Sequence, residues 1–148
     1  MKIKSVLFVC TGNTCRSPMA ETIFKKKLRT AGVNGIKTSS AGLSANVGAC
    51  MSENARLALK QLGYRPYAFK SSQADGGCLI KSDLIVCMTA DHKRYISAFP
   101  NVYSVGEITG ISDVPDPYGA SLEVYVSTAK YLETVCETII EKILTEEL

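Results

Sequence analysis

The sequence predicts an α/β fold in which a parallel sheet is covered by helices on both faces. Two observations lead to this prediction. Short apolar runs rich in β-branched residues recur along the chain, and longer segments with helical periodicity separate them. Strands joined through helices pair in parallel and are buried on both faces. The 148 residues have the length of one domain, and we predict a single domain over residues 1–148.

The first half of the chain alternates two predicted strands with two predicted helices. Residues 3–9 are an apolar run typical of a buried central strand. Apolar side chains at helical spacing predict a helix from Pro18 to about Ala31, and Ile36 to Ala41 is predicted as the second strand. Ser52 is a suitable N-cap for a second helix, which ends at Gly63.

The middle of the chain begins with a segment that has no clear periodicity. Residues 64–78 are polar, and Gly76 and Gly77 are predicted to break regular structure there. Leu84 to Met88 is predicted as the third strand because it is short, apolar and β-branched. Thr89 is a suitable N-cap for a helix that would reach about Phe99.

The last third of the chain contains one more predicted strand and a long helix. The strand covers Val102 to Val105, and the helix runs from about Ser121 to Leu144. Residues 106–120 between them are rich in Gly, Pro and Asp and are predicted to form a loop. Functional residues of a parallel sheet lie at the carboxyl ends of its strands, so the loops after the strands are the candidate sites.

The charge and composition exclude several classes of partner. A net charge of +3 gives no reason to expect binding to nucleic acid or to an anionic membrane. No apolar run approaches the ~18 residues that a membrane-spanning helix requires. The start of the chain has no apolar segment typical of a signal peptide, so we predict a cytoplasmic protein, and we expect it to be a monomer.

The six cysteines are spaced irregularly and are predicted to be free thiols in a reducing compartment. Zinc is not expected because no second Cys/His pair accompanies Cys10 and Cys15, and His92 is the only histidine. We therefore predict no metal and no other cofactor. His92 is expected at an exposed helix position, and Cys87 and Cys136 are expected in the core.

The loop from Cys10 to Arg16 joins the first strand to the first helix. Backbone N–H groups in such a loop can point inward and form an anion site at the positive end of the helix dipole. Gly12 tolerates a positive φ, and Asn13 is among the residues that best tolerate the left-handed region. No Gly-Lys-[Ser/Thr] follows, which excludes a nucleotide-binding Walker loop. The sequence therefore predicts a site for a phosphate-like anion.

Two side chains of this loop indicate chemistry as well as binding. The planar guanidinium of Arg16 can hold two oxygens of a tetrahedral anion. The positive surroundings favour the thiolate form of Cys10, which is the nucleophilic form. Ser17 is placed either to donate a hydrogen bond to that sulfur or to cap the helix. This combination predicts attack by sulfur on a bound phosphoryl group.

A proton donor for the leaving group is expected in the late loop. An unprotonated alkoxide or amine leaves poorly, so a general acid is needed. Asp116 lies between Pro115 and Pro117, which stiffen the chain and fix the direction of the carboxylate. Tyr118 could form one wall of a slot and stack on a flat group such as a phenyl ring or a guanidinium.

Two motifs together give the chain a family resemblance. The string Cys-x-Gly-Asn-x-Cys-Arg-Ser-Pro begins at Cys10, and Asp-Pro-Tyr begins at Asp116. With the length and the order of elements, they resemble the low-molecular-weight protein tyrosine phosphatase family over essentially the whole chain. The resemblance implies three layers, with a four-stranded parallel sheet flanked by helices and the phosphate-binding loop after the first strand. It also implies phosphorylated proteins as partners.

The resemblance implies specific roles for these residues. Cys10 would be the nucleophile that forms a phosphocysteine, Arg16 the phosphate clamp, and Asp116 the general acid and then the general base. Ser40 would help to hold the loop through Asn13. The implied substrate-binding set comprises Thr11, Gly12, Asn13, Thr14, Cys15, Ser17 and Tyr118. Many relatives also place a histidine next to that asparagine, but the matching residues 67–71 contain none.

Thr14 favours one substrate within the family. Tyrosine phosphatases often have Ile or Leu at this position, whereas threonine resembles the bacterial protein-arginine phosphatases, which share the string from Cys10 to Glu21. A hydroxyl could orient a polar leaving group or a water molecule, and a branched apolar residue would instead pack on a phenyl ring. Phosphoarginine is therefore the favoured substrate.

Cys15 follows Cys10 within the same tight loop. The resemblance implies a reversible disulfide between Cys10 and Cys15 that protects the nucleophile from irreversible oxidation. The alternative is that Cys15 is a small packed residue with no redox role.

Three other functions remain open. A protein tyrosine phosphatase would use the same residues on a different leaving group. A thioredoxin-coupled arsenate reductase would need two more cysteines after the third strand, but residues 88–100 contain none. A non-catalytic phosphate-binding module would require neither a nucleophilic Cys10 nor a placed Asp116.

Overall fold

The computed structural model describes residues 3–148, and its centre is a sheet of four parallel strands in the order β2-β1-β3-β4. The elements in chain order are β1 (Ser5–Cys10), α1 (Arg16–Thr30), β2 (Lys37–Gly42), α2 (Glu53–Gln61), α3 (Gly76–Lys81), β3 (Leu84–Cys87), α4 (Ala90–Tyr95), β4 (Val102–Ser104), α5 (Val105–Thr109) and α6 (Leu122–Leu144). The predicted fold class, with helices on both faces of a four-stranded parallel sheet, is confirmed.

Side chains of β1 alternate between two separate parts of the core. Val6 and Phe8 pack into a large cluster with α1, α2, α5 and α6. Leu7 and Val9 pack into a smaller cluster that includes residues from α3 and from the C-terminal end of α4. Both faces of the strand are therefore covered, which explains its uninterrupted apolar sequence. The buried position of β1 fixes the place of Cys10 at its carboxyl end.

Two helices lie where the sequence predicted loops. Helix α3 begins at Gly76 because the Asp75 carboxylate accepts a hydrogen bond from the Cys78 backbone N–H, so the prediction of a break at Gly76 and Gly77 was wrong. Helix α5 lies inside the predicted loop 106–120. Its start is a capping box between Ser104 and Glu107, a local signal that the Gly-rich composition obscured.

Other boundaries shift by a few residues. Helix α1 begins at Arg16, before the predicted start at Pro18, and α4 ends at Tyr95 instead of near Phe99. The predicted N-cap at Ser52 is confirmed by a bond from the Ala55 backbone N–H to its hydroxyl. Within residues 3–148, no helix has both the length and the apolar character needed to cross a membrane.

Candidate active site

The loop between β1 and α1 places Cys10 and Arg16 in the wall of one cavity at the carboxyl edge of the sheet. Cys10 is the last residue of β1 and Arg16 the first of α1, and both are buried. Asn13 has a φ of 57°, so the prediction of a left-handed residue there is confirmed. Gly12 does not use the positive φ that the sequence suggested, since the left-handed turn falls on Asn13 alone.

The backbone after β2 holds the first part of the loop. The N–H of Leu43 donates to the Cys10 carbonyl and the N–H of Ser44 to the Thr11 carbonyl, both at 2.9 Å. At Gly42 a Cβ atom would lie 2.5 Å from the Thr11 carbonyl oxygen. A side chain at position 42 would push the loop away from β2. Glycine is therefore required here, because the backbones of Gly42 and Thr11 approach each other closely.

The Asn13 side chain is the centre of a hydrogen-bond network that reaches the Cys10 sulfur. The Ser72 backbone N–H donates to Asn13 Oδ1 at 2.8 Å, which leaves both hydrogens of Nδ2 for Ser17 and Ser40 at 2.8 and 3.0 Å. Ser17 accepts from Asn13, which leaves its own hydroxyl hydrogen free to be donated to the Cys10 sulfur, 2.9 Å from Ser17 Oγ. Of the two roles predicted for Ser17, the structure has the contact with the Cys10 sulfur. Ser17 does not cap α1, whose N-cap is Cys15.

A buried carboxylate, Glu21, completes this network, and the sequence reasoning missed it. Ser40 donates its hydroxyl hydrogen to Glu21 Oε1 at 2.6 Å, and Glu21 Oε2 is 2.7 Å from Lys25 Nζ. Burial and a hydrogen bond with Glu21 raise the pKa of Tyr67 above its usual range. Glu21 lies four residues after Ser17 on α1, and this helical spacing was the signal that could have found it.

Asp116 meets Arg16 at the mouth of the site. Arg16 donates from Nη1 to the Val114 carbonyl at 3.2 Å, and its Nη2 lies 3.6 Å from Asp116 Oδ2. The Asp116 side chain is 54% exposed, and its Oδ1 accepts a hydrogen bond from the Tyr118 backbone N–H at 3.1 Å. The N–H of Val114 donates to the carbonyl of Met88, which ties the loop to the end of β3.

These residues line one cavity of about 240 Å³, formed by Cys10, Thr11, Gly12, Thr14, Cys15, Arg16, Asp116 and Tyr118. The structure thus brings together the residues that the two sequence motifs singled out. Asn13, Ser17 and Ser40 lie behind the wall, where they support it. Thr14 is part of the wall, and Tyr118 is a largely exposed residue at the rim.

His92 differs from its prediction. The sequence placed it at an exposed helix position, but it is only 6% exposed and its Nε2 lies 2.9 Å from Thr11 Oγ1. Burial, and next the nearby Arg16 guanidinium, lower the pKa of His92 below its ordinary value. The prediction failed because the proximity to Thr11 arises from the packing of α4 beside the loop, and no local periodicity records it.

The cysteines other than Cys10 differ in their surroundings. Cys15 is buried, and its Sγ lies 3.3 Å from Ser52 Oγ and 3.4 Å from Tyr125 Oη. Cys87 and Cys136 lie in the core as predicted, and burial raises the pKa of Cys87 to about 12. Over residues 3–148, no group of three His, Cys, Asp or Glu side chains is arranged to hold a metal ion.

The fold and its cysteine loop define a low-molecular-weight protein phosphatase. The family model described as low molecular weight phosphotyrosine protein phosphatase matches residues 5–148. The chain belongs to this family.

The chain is similar to relatives named as arginine phosphatases and to relatives named as tyrosine phosphatases. It is 34% identical to a protein-arginine-phosphatase of Geobacillus stearothermophilus over 96% of this chain and 97% of that one. It is 37% identical to the low molecular weight protein-tyrosine-phosphatase PtpB of Staphylococcus haemolyticus over 86% and 91%. The solved structure of the YwlE arginine phosphatase from Geobacillus stearothermophilus superposes with a TM-score of 0.86 at 35% identity, covering 97% of this chain and 94% of that one.

Proposed function

We propose that this protein hydrolyses phosphoarginine in proteins through a phosphocysteine intermediate. The observation that supports this substrate is the presence of Thr14, a residue with a hydroxyl group, among those that line the cavity. Within residues 3–148 the one hydrogen-bond contact of Thr14 Oγ1 is with the Cys15 sulfur at 3.9 Å, which is a weak contact. The hydroxyl is therefore available to accept a hydrogen bond from the guanidinium of a phosphoarginine.

The first step transfers the phosphoryl group to sulfur. The thiolate of Cys10 attacks phosphorus while Arg16 holds two of the non-bridging oxygens. The P–N bond breaks, and Asp116 in its protonated form gives its proton to the leaving nitrogen. The position of Asp116 at the mouth, 3.6 Å from Arg16, supports this role because the leaving group must lie between the phosphate and the solvent.

The second step returns the free enzyme. The Asp116 carboxylate takes a proton from water, the water oxygen bonds to phosphorus, and the S–P bond breaks to give inorganic phosphate. The electron pair returns to sulfur as the thiolate of Cys10. The hydroxyl of Ser17, whose Oγ lies 2.9 Å from Sγ, donates a hydrogen bond to the thiolate and stabilises that negative charge.

We also propose that Cys15 is the redox partner of Cys10. A peroxide oxidises the Cys10 thiolate to a sulfenic acid, and the Cys15 thiol then displaces water to form the disulfide. The placement of Cys15 on the same cavity wall supports this step. Peroxide treatment should lower the mass of the protein by two hydrogens, and the Cys15→Ala variant should instead gain oxygen at Cys10.

A tyrosine phosphatase is the alternative, supported by the relative from Staphylococcus haemolyticus. The two are distinguished by kcat/KM for a phosphoarginine peptide and for a phosphotyrosine peptide of the same sequence. The wild type should prefer phosphoarginine, and Thr14→Ile should shift the ratio toward phosphotyrosine. Thr14→Ser keeps the hydroxyl and is the matched control. An unchanged ratio in Thr14→Ile would refute the role of Thr14.

A further inference from the structure

His92 lies against the phosphate loop, yet no step above uses it. Its Nε2 is 2.9 Å from Oγ1 of Thr11, one of the residues that line the cavity. The Thr11 carbonyl is already held by the Ser44 N–H. The backbone and the side chain of Thr11 are thus both held, and the residue is nevertheless exposed at the cavity.

The other ring nitrogen of His92 identifies the tautomer. Among residues 3–148, none offers a hydrogen-bond partner to the buried Nδ1 of His92. A neutral imidazole carries a hydrogen on one nitrogen and a lone pair on the other. A hydrogen on Nδ1 would be a buried donor without an acceptor, which folded proteins rarely contain. The hydrogen therefore belongs on Nε2, and it is donated to Thr11 Oγ1.

The charges around His92 agree with a neutral ring. Burial has the largest effect on its pKa, followed by the positive charge of Arg16, and both lower it. Asp113, Asp116 and Asp91 act in the opposite direction but more weakly. A second hydrogen, which would have to sit on the unpartnered Nδ1, is disfavoured by the same surroundings.

We propose that His92 is a positioning residue that turns Thr11 into a hydrogen-bond donor toward the substrate. The donated Nε2 hydrogen occupies an acceptor position of the Thr11 oxygen, and the Thr11 O–H is left to donate into the cavity. Its acceptor is a substrate oxygen, either of the phosphoryl group or of the peptide backbone. Thr11 and Thr14 would then contact the substrate from one wall. This inference rests on the proposed phosphatase reaction.

The tautomer can be tested without any measurement of activity. Because His92 is the only histidine, the ring signals of ¹⁵N-histidine-labelled protein belong to it alone. We expect the NMR pattern of a neutral ring with its hydrogen on Nε2 at neutral pH. A ring with its hydrogen on Nδ1, or a doubly protonated ring, would overturn the proposal.

A double-mutant cycle separates positioning from packing. Thr11→Val and His92→Leu should each lower kcat/KM for para-nitrophenyl phosphate or for a phosphopeptide by about three- to tenfold, the range expected for one hydrogen bond. If His92 acts through Thr11, the double variant should be no worse than Thr11→Val. His92→Gln, which keeps an N–H donor, should recover most of the loss. Additive losses would show independent structural roles and would overturn the proposal.

The controls keep the test valid if one variant folds poorly. Thr38→Val removes a buried hydroxyl on β2 that has no partner within residues 3–148, and it should leave kcat/KM unchanged. Should His92→Leu fail to fold, Thr11→Ser must recover activity that Thr11→Val loses. Equal activity of Thr11→Val and wild type on both substrates would refute the role of the hydroxyl.

The two substrates also identify the acceptor. A loss on both para-nitrophenyl phosphate and the peptide assigns the Thr11 O–H to a phosphoryl oxygen, whereas a loss on the peptide alone assigns it to the peptide backbone. An aryl phosphate has a good leaving group and is a substrate whether the enzyme prefers phosphoarginine or phosphotyrosine. Failure of the phosphoarginine assignment would therefore leave this test intact.

Discussion

The nucleophile half and the acid half of the site are built in opposite ways. Cys10, Arg16 and Ser17 are 3%, 6% and 0% exposed and lie at the junction of β1 and α1. The side chain of Asp116 is 54% exposed, and Tyr118 beside it is 81% exposed. The first half is part of the core, whereas the second is a surface loop.

The difference matches two requirements of the site. The nucleophile must be held in a fixed position, and the loop that carries the acid must leave space for the substrate. In the buried half, an unbroken chain of hydrogen bonds runs from Glu21 through Ser40, Asn13 and Ser17 to the Cys10 sulfur, so the nucleophile is oriented before substrate binds. The exposed half is held by flanking prolines and by the hydrogen bond at Tyr118, and it leaves room for a large leaving group. Substitutions in the buried half should therefore lower both stability and rate, and those in the exposed half should lower rate alone.

The largest effect is expected at the nucleophile. Cys10→Ser should lower kcat by about 10⁴-fold or more, because a serine hydroxyl has no base beside it and is a poor nucleophile in this loop. The variant should still bind inorganic phosphate, which calorimetry can measure, because Arg16 and the loop N–H groups remain. Turnover within tenfold of wild type would contradict the assignment of Cys10.

The acid half should show a loss that depends on the leaving group. Asp116→Asn should lower kcat/KM, which reports transfer of the phosphoryl group to sulfur, by about 10²- to 10⁴-fold for a phosphorylated peptide, and far less for para-nitrophenyl phosphate, which needs little protonation. Its urea unfolding midpoint should stay at the wild-type value because the side chain is half exposed. Equal losses of kcat/KM on both substrates, or a lower unfolding midpoint, would contradict the proposed difference between the two halves.

The buried half should show a combined loss at Glu21. Glu21→Ala leaves the Ser40 hydroxyl without its acceptor and should cost about 1–3 kcal/mol of unfolding free energy, with a several-fold lower kcat. Glu137→Ala is the matched control because Glu137 is 60% exposed in its ion pair with Lys27, and such pairs contribute about 1 kcal/mol or less. A Glu21→Ala variant as stable and as active as this control would show that the network does not orient Asn13.

The smallest effect is a dependence of stability on pH through His92. Its pKa is lowered in the folded protein, so the unfolded chain, whose histidine has a pKa near 6.5, binds more protons below that value. The free energy of unfolding should therefore fall as pH decreases through 6.5, and fall less in His92→Gln. Urea titrations of both proteins at about pH 7.5 and about pH 5.5 measure the difference. Asp91, Asp113 and Asp116 face the ring and are common to both proteins. Parallel pH dependences would contradict the effect.

Much of the site could be predicted because its signals are local in sequence. The strand, the Cys10 loop and the start of α1 are contiguous, and the flanking prolines mark Asp116. The contact between Asn13 and Ser40 was expected from the family resemblance, and the structure has it at 3.0 Å.

The residues that sequence reasoning missed are those whose role depends on packing. His92 is a polar residue on a short helix, and only the tertiary fold brings it to Thr11. Glu21 is a charged residue within an amphipathic helix, which usually indicates a solvent-exposed face. Helix α3 was missed because its two glycines oppose helix formation, and the Asp75 cap offsets that preference.

The most direct test is to trap the phosphoenzyme. Asp116→Asn should be mixed with para-nitrophenyl phosphate, quenched rapidly, digested and analysed by mass spectrometry, because transfer from this substrate needs little protonation whereas loss of the general base slows hydrolysis of the intermediate. We predict phosphate on the peptide that contains Cys10, and none on the matching peptide of the Cys10→Ala and Asp116→Asn double variant at the same times. Product release without any phosphate on Cys10, or phosphate on another residue, would contradict the proposed mechanism.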